Sequence, residues 1–246
     1  MKSWLDWSVA LLACLTAAGA CTAKEEATVA ELQAQLLQQI SSDAWETRGY
    51  TGRGVLSERV MAAMAEVPRH EFVDRYGPAA AYANRPLPIG HGQTISQPFI
   101  VALMTQAMVA EPTPSRVLEI GTGCGYQTAV LASLVTHVYT VERIEVLLTR
   151  ARRRLCALGV DNVSYRHGDG SAGWPECEPF DGVLVTAAPP RVPERLARQL
   201  VMGGRLVIPV GDSGRQRLKV FTRTVSGLSE DTIADVSFVP MLRGMG

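Results

Sequence analysis

Residues Arg116 to Arg143 read RVLEIGTGCGYQTAVLASLVTHVYTVER, an apolar strand running into a glycine-rich turn, then a helix, then a second strand that ends on an acid. Val117, Leu118 and Ile120 make a short buried-strand pattern, Thr128 to Val135 carry apolar residues at helical spacing, and Val138, Tyr139 and Val141 give the second strand. Gly121, Gly123 and Gly125 stand where backbone has to pass close to a ligand without side chains in the way. Glu142 follows Gly121 by 21 residues, the spacing at which a dinucleotide fold places the acid that accepts hydrogen bonds from ribose hydroxyls. Glycines also end helices and make ordinary turns, so it is the ordered set of strand, turn, helix and acid that points to a nucleoside-bearing cofactor.

A pyrophosphate-binding fingerprint would read Gly-x-Gly-x-x-Gly. The turn here is GTGCG, and Glu119 stands two residues before its first glycine. An added carboxylate repels a pyrophosphate and suits a ligand carrying an amino group and a sulfonium. S-adenosylmethionine is such a ligand, so the turn favours methyl transfer over hydride transfer. A nicotinamide dehydrogenase, and a binding protein that holds its ligand without turnover, remain as alternatives at this point.

Further along, Val163 to His167 read as a strand ending at Asp169 and Gly170, Gly182 to Thr186 as a fourth strand, Arg191 to Val201 as a helix and Leu206 to Val210 as a fifth strand. Leu218 to Thr222 and Thr232 to Phe238 close the sheet as a hairpin. Alternating strand and helix predict an α/β fold, a doubly wound and mainly parallel Rossmann-like sheet with right-handed crossovers, whose ligands bind at the carboxyl ends of the strands.

Ahead of that core lies a helical cap. Leu32, Leu36, Leu37 and Ile40 recur at helical spacing, and Val60, Met64 and Val67 repeat the pattern before Pro68. The stretch NRPLPIGHGQTISQP follows, where prolines and glycines predict a stiff irregular loop suited to clamping a substrate, and a helix resumes over Phe99 to Met108 with Pro98 near its start. The expected organisation is a signal sequence over 1–20, an extension and helical cap with the substrate loop over 21–112, and a cofactor-binding catalytic core over 113–246.

With 246 residues and 47% apolar content the chain buries a sizeable core without disulfides or metals. Lys plus Arg and Asp plus Glu balance at 24 each, so no basic field exists to attract nucleic acid, and peptides or proteins are the expected partners of a monomer. Neither a Cys-x-x-Cys pair nor a His cluster suggests a metal. Cys124, inside the glycine turn, reads as a small residue beside the cofactor, with a redox switch in an oxidising compartment as the alternative.

The first 20 residues differ from the rest. Trp7 to Ala20 are apolar or small, a run too short for a comfortable membrane span and better suited to an export signal. AGAC at Ala18 to Cys21 offers small residues before a cut, and Cys21 would then be the lipid-bearing first residue of a lipoprotein, although Ala18 stands where Leu is usual and Asp6 weakens the positive start. The expected location is the cell envelope, periplasmic or lipid-anchored. A cytoplasmic protein with an uncleaved extension is the alternative.

LPIGHGQTISQP at Leu87 to Pro98, RVLEIGTGCGYQTAVLA from Arg116, VERI from Val141, RHGDG from Arg166, PFDGVLVTAAPP from Pro179, GGRLVIPVG from Gly203 and FVPMLRG from Phe238 together resemble the protein-L-isoaspartate O-methyltransferase family, over Ser57 to Gly244. The LPIG and QTISQP segment discriminates, since other methyltransferases share the glycine turn but not this. The resemblance implies a seven-stranded sheet with one antiparallel strand, S-adenosylmethionine as cofactor, and L-isoaspartyl residues of damaged proteins or peptides as substrate, a protein-repair reaction. It implies Ser96 as the active-site residue, flanked by Thr94, Ile95, Gln97 and Pro98 on the substrate, with helix capping as the structural alternative for Ser96. It places Glu119, Gly121, Gly123, Gly125, Glu142, Arg143, Asp169 and Gly170 at the cofactor, Asp169 near the adenine amino group and Arg143 through its backbone with a solvated side chain. His91 and His167 receive no role, because the reaction has little need of a proton carrier.

Overall fold

The computed structural model describes the backbone of residues 5–212 and 214–246, and the side chains of these from residue 28 onward. The expected signal run 1–20 and the expected lipid-bearing Cys21 lie outside the residues whose side chains are described. Among the described residues no helix is long and apolar enough to cross a membrane.

Helices α1 (Leu5–Thr51), α2 (Glu58–Glu66) and α3 (Pro78–Ala81) precede a small antiparallel pair, β1 (Leu87–Gly90) and β2 (Gln93–Ile95), and helix α4 (Pro98–Met108). The core then alternates through β3 (Arg116–Ile120), α5 (Tyr126–Ala132), β4 (His137–Glu142), α6 (Glu145–Ala157), β5 (Val163–His167), β6 (Phe180–Val185), α7 (Glu194–Arg198) and β7 (Leu200–Asp212), and closes with β8 (Arg215–Thr224) and β9 (Gly227–Val236). The seven core strands lie in the order β5-β4-β3-β6-β7-β8-β9, all pairs parallel as far as β7 and antiparallel on either side of β8. One strand, β8, therefore runs against the other six.

Side chains alternate across the strands, and both faces are apolar because both are covered. Val117, Val138, Leu184 and Val207 join the core under α4 and α5, whereas their neighbours Leu118, Ile120, Val183, Val185 and Leu206 pack on the opposite face with Leu196 of α7. The cap packs on the first face. Leu36 and Ile40 of α1 and Val60 and Met64 of α2 are buried there, and α4 fills the space between cap and sheet. Nine of its residues are buried, as a helix apolar on nearly every side requires.

Three sequence expectations need correction. The stretch around LPIGHGQTI is a hairpin and not an irregular loop: Leu87 pairs with Ile95 and Gly90 with Gln93, with a shift of register between Pro88 and Gly90. His91 (φ 53°) and Gly92 (φ 69°) form the two-residue turn, both at the positive φ that a tight hairpin demands. Pro88 is tolerated because each strand of a two-stranded ribbon keeps one unpaired edge. The helix expected over Arg191 to Val201 shrinks to Glu194–Arg198, since Leu200 already pairs with Phe180 at the start of β7. The helix after the glycine turn starts at Tyr126 and ends at Ala132, earlier than Thr128 to Val135.

Candidate active site

The site opens where β3 ends. Gly121 has φ +94°, and a Cβ there would lie 2.2 Å from Thr186 Oγ1. That hydroxyl is shared between the carbonyls of Ile120 (3.0 Å) and Gly121 (2.7 Å), so the end of β6 is latched onto the glycine turn. A Cβ on Gly170 would fall 2.3 Å from Ile120 Cγ2. Backbone thus approaches as closely as glycine allows on two sides of a cleft open to solvent, whose wall includes Gly121, Gly123, Glu142, Arg143 and Gly170.

The two carboxylates of this region have different fates. Glu142 ends β4 and lines the cleft, its Oε2 accepting from Gly123 N (2.9 Å) and its Oε1 from Ile144 N (2.9 Å). Both are charge-assisted bonds that hold the turn and the start of α6 to one side chain. Glu119 is fully buried on the other side of β3. Its Oε2 accepts from Thr128 Oγ1 of α5 (2.5 Å) and Thr140 Oγ1 of β4 (2.6 Å), and Thr122 Oγ1 lies 2.7 Å from Thr140 Oγ1. Its Oε1 is buried without a partner among the described residues. Burial pushes its pKa up to about 7 against the lowering effect of the two threonine hydroxyls.

Glu119 is therefore not part of the cleft wall. The two-residue period of a strand puts it on the same face as Val117, beneath α5, while Ile120 faces the cleft. Gly125 likewise stands behind the turn, as the left-handed N-cap of α5. Cys124 lines the cleft, and burial pushes its thiol pKa up, which keeps it protonated.

Arg143 and Asp169 are spent on the C-terminal tail. Arg143 Nε donates to Gly244 O (3.0 Å) and Arg143 O accepts from Gly246 N (2.9 Å), so its side chain is engaged and not merely solvated. Asp169 accepts from Ser171 N (2.8 Å) and Gly244 N (2.8 Å), and lies on the rim of a neighbouring groove outside the main cleft wall. Burial raises its pKa, but these amide hydrogen bonds together with Arg243 outweigh that and hold it below the usual carboxylate value. The tail is further pinned by Ala188, whose N donates to Val239 O and whose O accepts from Met241 N, both at 2.8 Å. Val239 to Leu242 thereby become cleft wall.

Thr94, Ile95 and Ser96 also line the cleft. Pro98 is buried at the first position of α4, and Gln97 is the N-cap without a side-chain cap bond. The start of α4 is satisfied from elsewhere: Asn84 Oδ1 accepts from Phe99 N (3.0 Å) while Asn84 Nδ2 donates to Asp43 Oδ2 of α1 (2.6 Å). This removes the capping role for Ser96. Ser96 instead sits where the cleft meets a second groove lined by Pro86, Gln97, Ile100, Asp235, Ser237 and Phe238, with Thr94, Thr186 and Val239 shared between the two.

Sequence reasoning missed Thr122, Tyr126, Gln127, Ile144, Thr186 and Val239 to Leu242. The rule that ligands bind at strand carboxyl ends would have found Thr186, which directly follows β6, and Ile144, two residues past β4. The tail falls in the FVPMLRG motif, but neither periodicity nor spacing places that motif at the cleft. A cleft bounded by close-packed glycines, a hydrogen-bonded acid at a strand end and the apolar side chains of Ile120, Val141 and Ile144 fits a nucleoside-bearing cofactor, with Glu142 available to its ribose.

A sequence profile of the protein-L-isoaspartate(D-aspartate) O-methyltransferase family matches residues 48–246. A protein-L-isoaspartate O-methyltransferase of Halorhodospira halophila is 56% identical over 192 residues, 78% of this chain and 87% of that one. A solved protein-L-isoaspartate O-methyltransferase superposes with a TM-score of 0.73 at 29% identity, over 85% of this chain and 65% of that longer one. A Plasmodium falciparum protein provisionally named for the same activity, solved in complex with S-adenosyl-L-homocysteine, superposes with a TM-score of 0.71 at 26% identity, over 85% of this chain and 97% of that one. The chain belongs to the protein-L-isoaspartate(D-aspartate) O-methyltransferase family.

Proposed function

We infer that this chain transfers a methyl group from S-adenosylmethionine to the carboxylate of L-isoaspartyl residues in damaged proteins and peptides, and so acts in protein repair. The observation that carries this reading is the position of Ser96 at the junction of the cofactor cleft and the second groove. S-adenosylmethionine supplies an electrophilic methyl group, and an isoaspartyl carboxylate is already ionised at neutral pH. No strong general base is needed. The protein's part is to align acceptor with donor and to strip water from the carboxylate, an effect worth roughly 7–11 kcal/mol when geometry is good.

In this reading Glu142 and the glycine turn hold the donor's ribose and backbone-facing edge, Gly170 permits close approach, and Asp169 and Arg143 act by fastening the tail that completes the wall. Ser96 donates its hydroxyl to the acceptor carboxylate, with Thr94, Ile95 and Gln97 beside it. A peptide carrying L-isoaspartate is expected to accept methyl from labelled S-adenosylmethionine, and its L-aspartyl twin is not. Equal labelling of the two would overturn the substrate assignment.

We further propose that the protein works in the cell envelope, exported by residues 1–20 and anchored through an acyl group on Cys21. The support is the short apolar run before AGAC and the polar stretch after it. Palmitate labelling should vanish in Cys21→Ser, and labelling that persists, or a native chain beginning at Met1, refutes the anchor. The enzyme is monomeric in this reading, which sedimentation of the full chain checks.

A further inference from the structure

Arg69 is among the largest fully buried side chains of the described residues, and no carboxylate pairs with it among them. Its Nε donates to Ala81 O (2.9 Å), and its Nη2 donates to Ser96 O (2.8 Å), with Arg85 O at 3.5 Å. Arg85 and Ser96 flank the β1–β2 hairpin, so one guanidinium gathers both ends of the element that presents Thr94 to Ser96. The Arg69 Cζ also stands 4.9 Å from the centre of the Tyr126 ring, itself part of the cleft wall. Nη1 is buried with no partner among the described residues.

A simple fastener would not need this chemistry. An apolar side chain or a neutral amide can fill a core position, whereas a cation buried without a counter-charge is costly to hold. A guanidinium stays protonated even there, because its pKa starts so high. Carbonyl dipoles and an aromatic face offset part of the cost, and they leave a net positive charge directly beneath the peptide of Ser96. That is where the proposed reaction brings an anionic acceptor.

We propose that Arg69 is a positioning residue for the acceptor: through the Ser96 carbonyl it sets the hairpin's place, and its unbalanced charge selects a carboxylate over a neutral group at Ser96. The selection works through the intervening peptide, whose carbonyl the guanidinium polarises, and not by contact with the reacting atoms. This rests on the reading of Ser96 as the acceptor-side residue.

The test compares binding of an L-isoaspartyl peptide with that of its neutral isoasparagine twin, to the full chain saturated with S-adenosylhomocysteine. The unaltered protein should prefer the carboxylate by about tenfold or more, as one charged hydrogen bond implies. Arg69→Gln, which keeps hydrogen bonding but not charge, should cut the preference severalfold; Arg69→Lys, which keeps charge on a less complete fork, should retain more of it. S-adenosylhomocysteine affinity should stay within about twofold in both. A purely structural role would weaken the two peptides equally, and that result overturns the proposal. Should neither variant fold, equal binding of the two peptides to the unaltered protein overturns it alone. Failure to methylate the isoaspartyl peptide while the preference persists would defeat the functional reading and leave Arg69's role standing.

Discussion

The two sides of the cleft are built by different means. In the proposed reading the donor side consists of strand ends in the main sheet, and its parts are close in sequence: the turn at Gly121 to Gly125, Glu142 at the end of β4, and Ile144 two residues on. The acceptor side hangs on a hairpin outside that sheet and is fastened by residues far from it, Arg69 to the Ser96 carbonyl and Asn84 to the start of α4. A side made from one strand-turn-helix-strand unit carries its own geometry. A side made from a hairpin borrows its geometry from neighbours, so substitutions on the two sides should separate donor binding from acceptor chemistry.

The strongest way to break the donor side is Glu142→Ala. Two charge-assisted bonds to backbone amides are lost, each worth about 1.5–3 kcal/mol, for an expected total of about 3–6 kcal/mol shared between stability and cofactor affinity. Denaturant unfolding and calorimetry with S-adenosylhomocysteine measure the two shares, and unchanged values in both would remove Glu142 from the donor side.

Gly121→Ala attacks the same side through the backbone. Left-handed strain of about 1–2 kcal/mol and an overlap with Thr186 Oγ1 of about 1–3 kcal/mol should weaken cofactor binding by about 2–5 kcal/mol. The acceptor peptide's KM should move little at saturating cofactor. A parallel rise in that KM would mean that the two sides are not separable.

Glu119 tests whether the donor side has a structural underside. Its pKa rises from 4.5 in a free chain to about 7 in the fold, so the folded state holds a proton that the unfolded state has released between those values. Its contribution is fully present below pH 4.5, falls as pH rises, and is lost above about pH 7, a swing of about 3 kcal/mol. Glu119→Gln should flatten that part of the stability profile and raise the melting temperature at pH 8 relative to the unaltered chain. An unaltered slope between pH 4.5 and 7 would place the titration elsewhere.

On the acceptor side, Ser96→Ala should leave cofactor affinity nearly intact and slow single-turnover methylation by about 10- to 150-fold, the 1.5–3 kcal/mol of one hydrogen bond to a charged group. An unchanged rate at saturating cofactor would return Ser96 to a structural role, and a methylated Ser96 would overturn direct displacement.

Much of this contrast was legible before any coordinates. Periodicity located all the core strands, and the spacing from Gly121 pointed to Glu142, which ends β4 and lines the cleft, because each depends on residues within one local unit. Boundaries were less secure where long-range pairing competes with local preference: Leu200 joins β7 through Phe180 although its surroundings read as helix. The hairpin turn at His91 and Gly92 was hidden by a histidine in a position where asparagine or glycine would announce the positive φ.

The sequence by itself determined the alternating α/β order, the glycine turn and its acid, and the motifs that carry the family, because strand and helix periods and backbone-permissive residues act over a few neighbours. Only the tertiary structure decided which way the side chains of that unit face and what else reaches them. Strand alternation turned Glu119 away from the cleft and under α5, while packing brought Asp169 and Arg143 to the tail and set Arg69 beneath Ser96. Those contacts join residues separated by up to 101 positions, and no local pattern records them. They form only when burial of the two apolar faces has fixed where every strand end lies, since the free energy that orders a hairpin or a tail against the sheet comes from that packing and not from the segment itself.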